Sequence, residues 1–107
     1  MSAWIFEPAE RPSVAIDGRG ERMPVRRVLC VGRNYAAHAR ESGADPDREP
    51  PFFFFKPTDA LVDDGAVVPY PPLTSNLHFE VELVVAIARG GANIAPGDAR
   101  RHVLGYA

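Results

Sequence analysis

The sequence predicts a mainly β chain with short helices, and three observations carry that reading. Residues 77–88 alternate: Phe79, Val81, Leu83, Val85 and Ile87 fall on one face, His78, Glu80 and Glu82 on the other. That period of two is the mark of a half-buried strand. Shorter apolar runs are bounded by Gly, Pro or Asp, the residues that end strands in turns. The 11 prolines are spread over several segments, at about twice the usual ~5% share. Proline at that density suits short strands joined by rigid turns and opposes a helical bundle.

Taken in order, residues 3–6 and 13–16 are short apolar runs that predict two strands, with Asp17-Gly18 as a turn signal after the second. Residues 25–31, Val-Arg-Arg-Val-Leu-Cys-Val, follow Pro24 and end at Gly32, which predicts a third strand. Residues 34–41 contain three alanines and no β-branched residue. Asn34 suits the N-cap and Gly43 the position after the C-cap, so this stretch predicts a helix of two turns. Four consecutive phenylalanines, 52–55, predict a buried strand closed by Lys56-Pro57, and residues 66–69 another short one. The long strand over 77–88 ends at Gly90-Gly91. Residues 96–101 predict a helix, with Asp98 near its start and Arg100 and Arg101 near its end to suit the dipole. A last apolar run begins at His102.

Length and composition narrow the function classes. One hundred and seven residues make one small domain. A hydrophobic share of 46% and a charged share of 24% are those of a globular chain and exclude disorder as the default. No apolar run approaches the ~18 residues of a membrane span. The opening Met-Ser-Ala-Trp-Ile-Phe-Glu has no basic or apolar leader character, so a cytoplasmic setting is expected. A single cysteine excludes an internal disulfide and a cysteine-rich zinc site. A net charge of −2 gives no electrostatic support for a nucleic-acid or acidic-lipid partner.

The residues with chemistry in them form a few groups. Glu80 and Glu82, two apart on a strand, share a face with Cα atoms roughly 6.5–7 Å apart. Two carboxylates aimed at one point repel unless a cation lies between them, and hard divalent ions prefer oxygen ligands. The pair also reads as the solvated face of an amphipathic strand. Against that, the same face turns apolar at Val84, Ala86 and Ala88, and carboxylates near an interior need a partner. His78 shares the face and is either a further ligand or a residue that bonds nearby. His38 and Glu41, three apart on the helix, share a face as well. A carboxylate beside an imidazole fixes its tautomer and builds a water-activating pair; a surface pair is the plainer alternative. Gly32-Arg33-Asn34-Tyr35 lies where a strand turns into a helix, a corner suited to binding a carboxylate or to simple capping. Lys56 reads as a buried charge or as a snorkelling side chain, and Cys30 as a small core residue.

Val31-Gly-Arg-Asn-Tyr-Ala-Ala-His-Ala-Arg-Glu41, Pro51-Phe-Phe-Phe-Phe-Lys-Pro57, His78-Phe-Glu-Val-Glu-Leu-Val-Val85 and Gly105-Tyr106, in this order, resemble the fumarylacetoacetate hydrolase family. Residues 46–54 and 68–72 resemble its fumarylpyruvate hydrolase branch. The resemblance spans roughly residues 24–107, leaving 1–23 as lead-in strands. It implies a mixed β-sandwich roll, of which this chain looks like the N-terminal part, in an enzyme that is usually dimeric. It implies a divalent metal, Mg²⁺ or Mn²⁺ with Ca²⁺ in some members, held by a Glu-x-Glu pair that matches Glu80 and Glu82 and by a later Asp. The water-activating pair of the family matches His38 and Glu41, and Arg33 with Tyr35 would bind substrate. The implied reaction is hydrolysis of a C–C bond in an acylpyruvate such as fumarylpyruvate, giving fumarate and pyruvate. Decarboxylation of a 2-oxo diacid and isomerisation of a hydroxydienoate belong to the same scaffold and stand as alternatives, as does an inactive fragment. The third carboxylate ligand and a carbonyl-polarising lysine would fall beyond Ala107, so Lys56 is not given that role.

Overall fold

A computed structural model describes residues 3–32, 34–35, 43 and 50–107, and among these residues the strands form three antiparallel two-stranded sheets. Strand β1 (Ser13–Ala15) pairs with β2 (Arg22–Pro24), β3 (Val28–Gly32) with β4 (Phe52–Lys56), and β5 (Val85–Ile87) with β6 (Val103–Tyr106). Short 3-10 helices occupy Thr58–Ala60 and Pro96–His102. The chain divides into two compact units, Met1–Val67 and Val68–Ala107.

In the first unit, β1 and β2 are joined at the predicted turn. Gly18 takes φ 72° there, a conformation a side chain would strain, and the Arg19 N–H closes the turn on the Ile16 carbonyl at 3.1 Å. Composition gave no sign of β2, because Arg-Met-Pro is not a strand former; the turn recruits it. Arg22 then ties the hairpin down. Its guanidinium donates to Ser13 Oγ at 2.8 Å, to the Ser13 carbonyl at 2.9 Å and to Asp63 Oδ1 at 3.1 Å.

The β3–β4 ladder runs from Val28 opposite Lys56 to Gly32 opposite Phe52. Its last pair explains the glycine: a Cβ at Gly32 would collide with the Phe52 ring lying across it. That ring also stacks on Phe54, with centroids 5.9 Å apart and planes 30° apart. The four phenylalanines form the strand expected of them, but none is buried; Phe53 is 63% exposed. Residues 25–27 precede β3 rather than extending it. The predicted helix over 34–41 lies, but for Asn34 and Tyr35, outside the described residues.

In the second unit, β5 and β6 carry a bulge. Ala86 pairs with Gly105, but Ile87 pairs with Val103, leaving Leu104 as the extra residue. The His102 carbonyl accepts from both the Ala88 and Arg89 N–H groups at 2.8 and 3.3 Å. The His102 ring is fixed by Nδ1 to the Arg89 carbonyl at 2.8 Å.

Three expected strands are absent or shortened, for one reason. A strand exists through its neighbour. Residues 3–6 and 66–69 have no ladder partner and are not strands. Over 77–88 the strand is confined to Val85–Ile87. Val84 and Ala107 still exchange both backbone hydrogen bonds, at 2.8 and 3.0 Å, and among the described residues no strand lies along residues 77–83. The helix expected over 96–101 is a 3-10 helix, Pro96–His102. Among the described residues no side chain is fully buried. The expectation of a buried Phe52–Phe55 strand is therefore corrected, as is the reading of Lys56 as a buried charge: all five residues are exposed.

Candidate functional site

Glu80 and Glu82 lie in the second unit, in the segment that leads into β5. A string of local hydrogen bonds sets up their approach. The Asn76 N–H donates to Thr74 Oγ1 at 3.1 Å, and the Leu77 N–H to the Tyr70 hydroxyl at 3.2 Å. His78 Nε2 lies 2.7 Å from Asn76 Oδ1. An imidazole nitrogen bonded to an amide oxygen carries the proton and is not a ligand, so Nε2 of His78 acts as a local clasp. Both glutamates are exposed. On the opposite parity, Phe79 and Val81 are 91% and 88% exposed, so the buried face expected from the alternation is not formed among the described residues.

The donor set suits a hard divalent cation: two carboxylates, two residues apart, with no sulfur or imidazole required. Among the described residues no group of three or more His, Cys, Asp or Glu side chains is placed to hold a metal. The pair therefore provides two oxygen donors and needs others to complete a shell of six or more.

In the first unit, Tyr35 is described and 45% exposed. Arg33, His38 and Glu41 lie outside the described residues. What is visible is the frame that leads to them: β3 ends at Gly32, one residue before Arg33.

Comparisons with known proteins place the chain in a family. The family model for the fumarylacetoacetate hydrolase C-terminal region matches residues 27–107. The chain belongs to the fumarylacetoacetate hydrolase family. Its mainly β fold is that of the family: the structure of fumarylpyruvate hydrolase from Pseudomonas aeruginosa, in complex with Mn²⁺ and pyruvate, superposes with a TM-score of 0.89 at 53% identity, over 97% of this chain and 46% of that one. A Burkholderia cenocepacia structure assigned as a fumarylpyruvate hydrolase superposes with a TM-score of 0.81 at 58% identity, over 98% and 44%. Among curated relatives, the mitochondrial oxaloacetate tautomerase of Arabidopsis thaliana is 38% identical over 81 residues, 76% of this chain and 36% of that protein. The mitochondrial oxaloacetate decarboxylase of Dictyostelium discoideum is 42% identical over 82 residues, 76% and 37%. The chain thus spans well under half the length of these relatives. Family members catalyse more than one reaction and some are mitochondrial, so neither the substrate nor the cytoplasmic setting follows from membership alone.

Proposed function

We propose that this chain supplies the water-activating and metal-holding residues of a C–C bond hydrolase acting on an acylpyruvate such as fumarylpyruvate. The observation that supports this substrate class is the graded likeness. Identity is 53% to the fumarylpyruvate hydrolase of Pseudomonas aeruginosa, against 38% and 42% to the oxaloacetate enzymes.

His38, oriented by Glu41, takes a proton from water. The water oxygen bonds to the acyl carbon, and the bond from that carbon to the neighbouring methylene breaks. Its electron pair leaves in the enolate of pyruvate, which is then protonated, so one water and one acylpyruvate give one carboxylic acid and one pyruvate. Arg33 and Tyr35 hold a substrate carboxylate, the guanidinium through paired hydrogen bonds. Glu80 and Glu82 would hold Mg²⁺ or Mn²⁺, which when bound supplies positive charge next to the developing enolate.

The register of the second unit supports the metal reading. Val84 faces Ala107 and Val85 faces Tyr106. In a longer chain that continues β6 in this register, the second position past Ala107 meets Glu82 and the fourth meets Glu80. All four side chains then share one face, with directly opposed Cβ atoms about 4.5–5.5 Å apart. A carboxylate at either position would complete a three-oxygen site. The exposed apolar parity of Phe79, Val81 and Leu83 is surface for the remainder of a family-length chain to cover; the working form we propose is a homodimer of such chains.

The second reading, supported by the tautomerase and decarboxylase relatives, is oxaloacetate as substrate. The test is a direct comparison on a chain of family length that carries these residues. With Mn²⁺ present, kcat/KM for fumarylpyruvate is expected to exceed that for oxaloacetate by about 10²-fold or more, the difference of roughly 3 kcal/mol that a matched site makes. A ratio below one selects the second reading.

A further inference from the structure

We propose that the first unit carries a binding cleft for a small organic dianion, held by Arg11, Arg26, Arg27 and Lys56. Three separate stretches of chain bring these cations together. The β3–β4 register sets Val28 opposite Lys56, so residues 26–27 and 57–59 leave the ladder at the same end. The Val25 N–H donates to the Pro12 carbonyl at 2.8 Å, which brings Arg11 there too. The cleft between them has a volume of about 650 Å³, within the usual range for small-molecule sites.

Charge decides what it takes. Glu10 and Asp59 are the carboxylates of the lining, against four cations. The ion pairs among the described residues join Arg19 to Glu21, Arg22 to Asp63 and Arg101 to Asp98; none uses a cation of the cleft. Two positive charges are therefore in excess. Gathering like charges costs energy that a bound dianion relieves. Val28 and the exposed ring of Phe55 are apolar parts of the lining, giving the ligand's hydrocarbon body a place to lie. Arginine forks match the oxygens of a carboxylate or a phosphate equally well, so an aryl dicarboxylate and an aryl phosphate are two sources of one chemistry. This reading uses none of His38, Glu41, Glu80 or Glu82 and stands apart from the hydrolase assignment.

The test is calorimetric titration of a chain of family length that carries these residues with phthalate, phenyl phosphate and inorganic phosphate. Phthalate or phenyl phosphate is expected to bind once per chain with a Kd of about 0.1–1 mM. Inorganic phosphate, lacking the ring, is expected to bind about tenfold more weakly. The double variant Arg26→Gln with Arg27→Gln should weaken binding about tenfold or more. Asp59→Asn should tighten it by about two- to fivefold, an effect that misfolding does not produce. Arg100→Gln, an exposed arginine of the other unit, should change nothing. The proposal is overturned by absence of binding at ~10 mM ligand. It is equally overturned by an Asp59→Asn chain that binds no tighter, or by an Arg100→Gln chain weakened as much as the double variant.

Discussion

Glu80→Gln and Glu82→Gln are each expected to lower metal-dependent turnover by about 10³-fold or more in a chain of family length, the scale of the several kcal/mol a bound cation contributes. The amide keeps the shape of the side chain and removes the charge that attracts the ion. Because both glutamates are exposed, neither substitution disturbs packing within the described residues, and folding should persist. Titration with Mn²⁺ should show the affinity falling with the activity. A variant that keeps normal turnover and normal Mn²⁺ affinity would remove that glutamate from the site.

His38→Ala is expected to lower kcat by roughly 10²–10⁴-fold, the contribution of a positioned general base. Mn²⁺ affinity should be unchanged, which separates this loss from that of the glutamate variants. Glu41→Gln acts through the imidazole and should cost less than loss of the base itself. It leaves the ring in place while removing the charge that orients it. A His38→Ala enzyme with the parent rate would remove His38 and Glu41 from the proposed mechanism.

What the sequence revealed follows from which signals are local. The Asp17-Gly18 turn, the four phenylalanines of β4 and the apolar run of β6 carry their own turn chemistry or strand propensity, and they appear where expected. Strand β2 does not, because Arg22 and Pro24 are poor strand formers held in place by the hairpin and by the Arg22 contacts with Ser13 and Asp63. The long alternation over residues 77–88 was legible as a pattern, yet only Val85–Ile87 forms a strand. Periodicity reports which faces a strand would present, and a neighbour decides how much strand there is. The local clasp of Asn76 on His78 was legible only as an alternative, a histidine that bonds nearby, without its partner. It depends on a turn geometry that no spacing rule encodes, although Asn two residues before His at the mouth of a strand is the type of polar pair that forms one. The site residues themselves were named from motif spacing and resemblance. Of these, the structure describes Glu80, Glu82 and Tyr35.

Hydrolysis in ¹⁸O-labelled water is the measurement that reaches the central claim most directly. A chain of family length carrying these residues is incubated with fumarylpyruvate and Mn²⁺, and the products are weighed by mass spectrometry. Water attack at the acyl carbon places solvent oxygen in the fumarate carboxylate formed there, with pyruvate released in equal amount. That is the expected result, and it should disappear with His38→Ala. Fumarylpyruvate left intact, while oxaloacetate in the same preparation is tautomerised or loses carbon dioxide, would contradict the assignment.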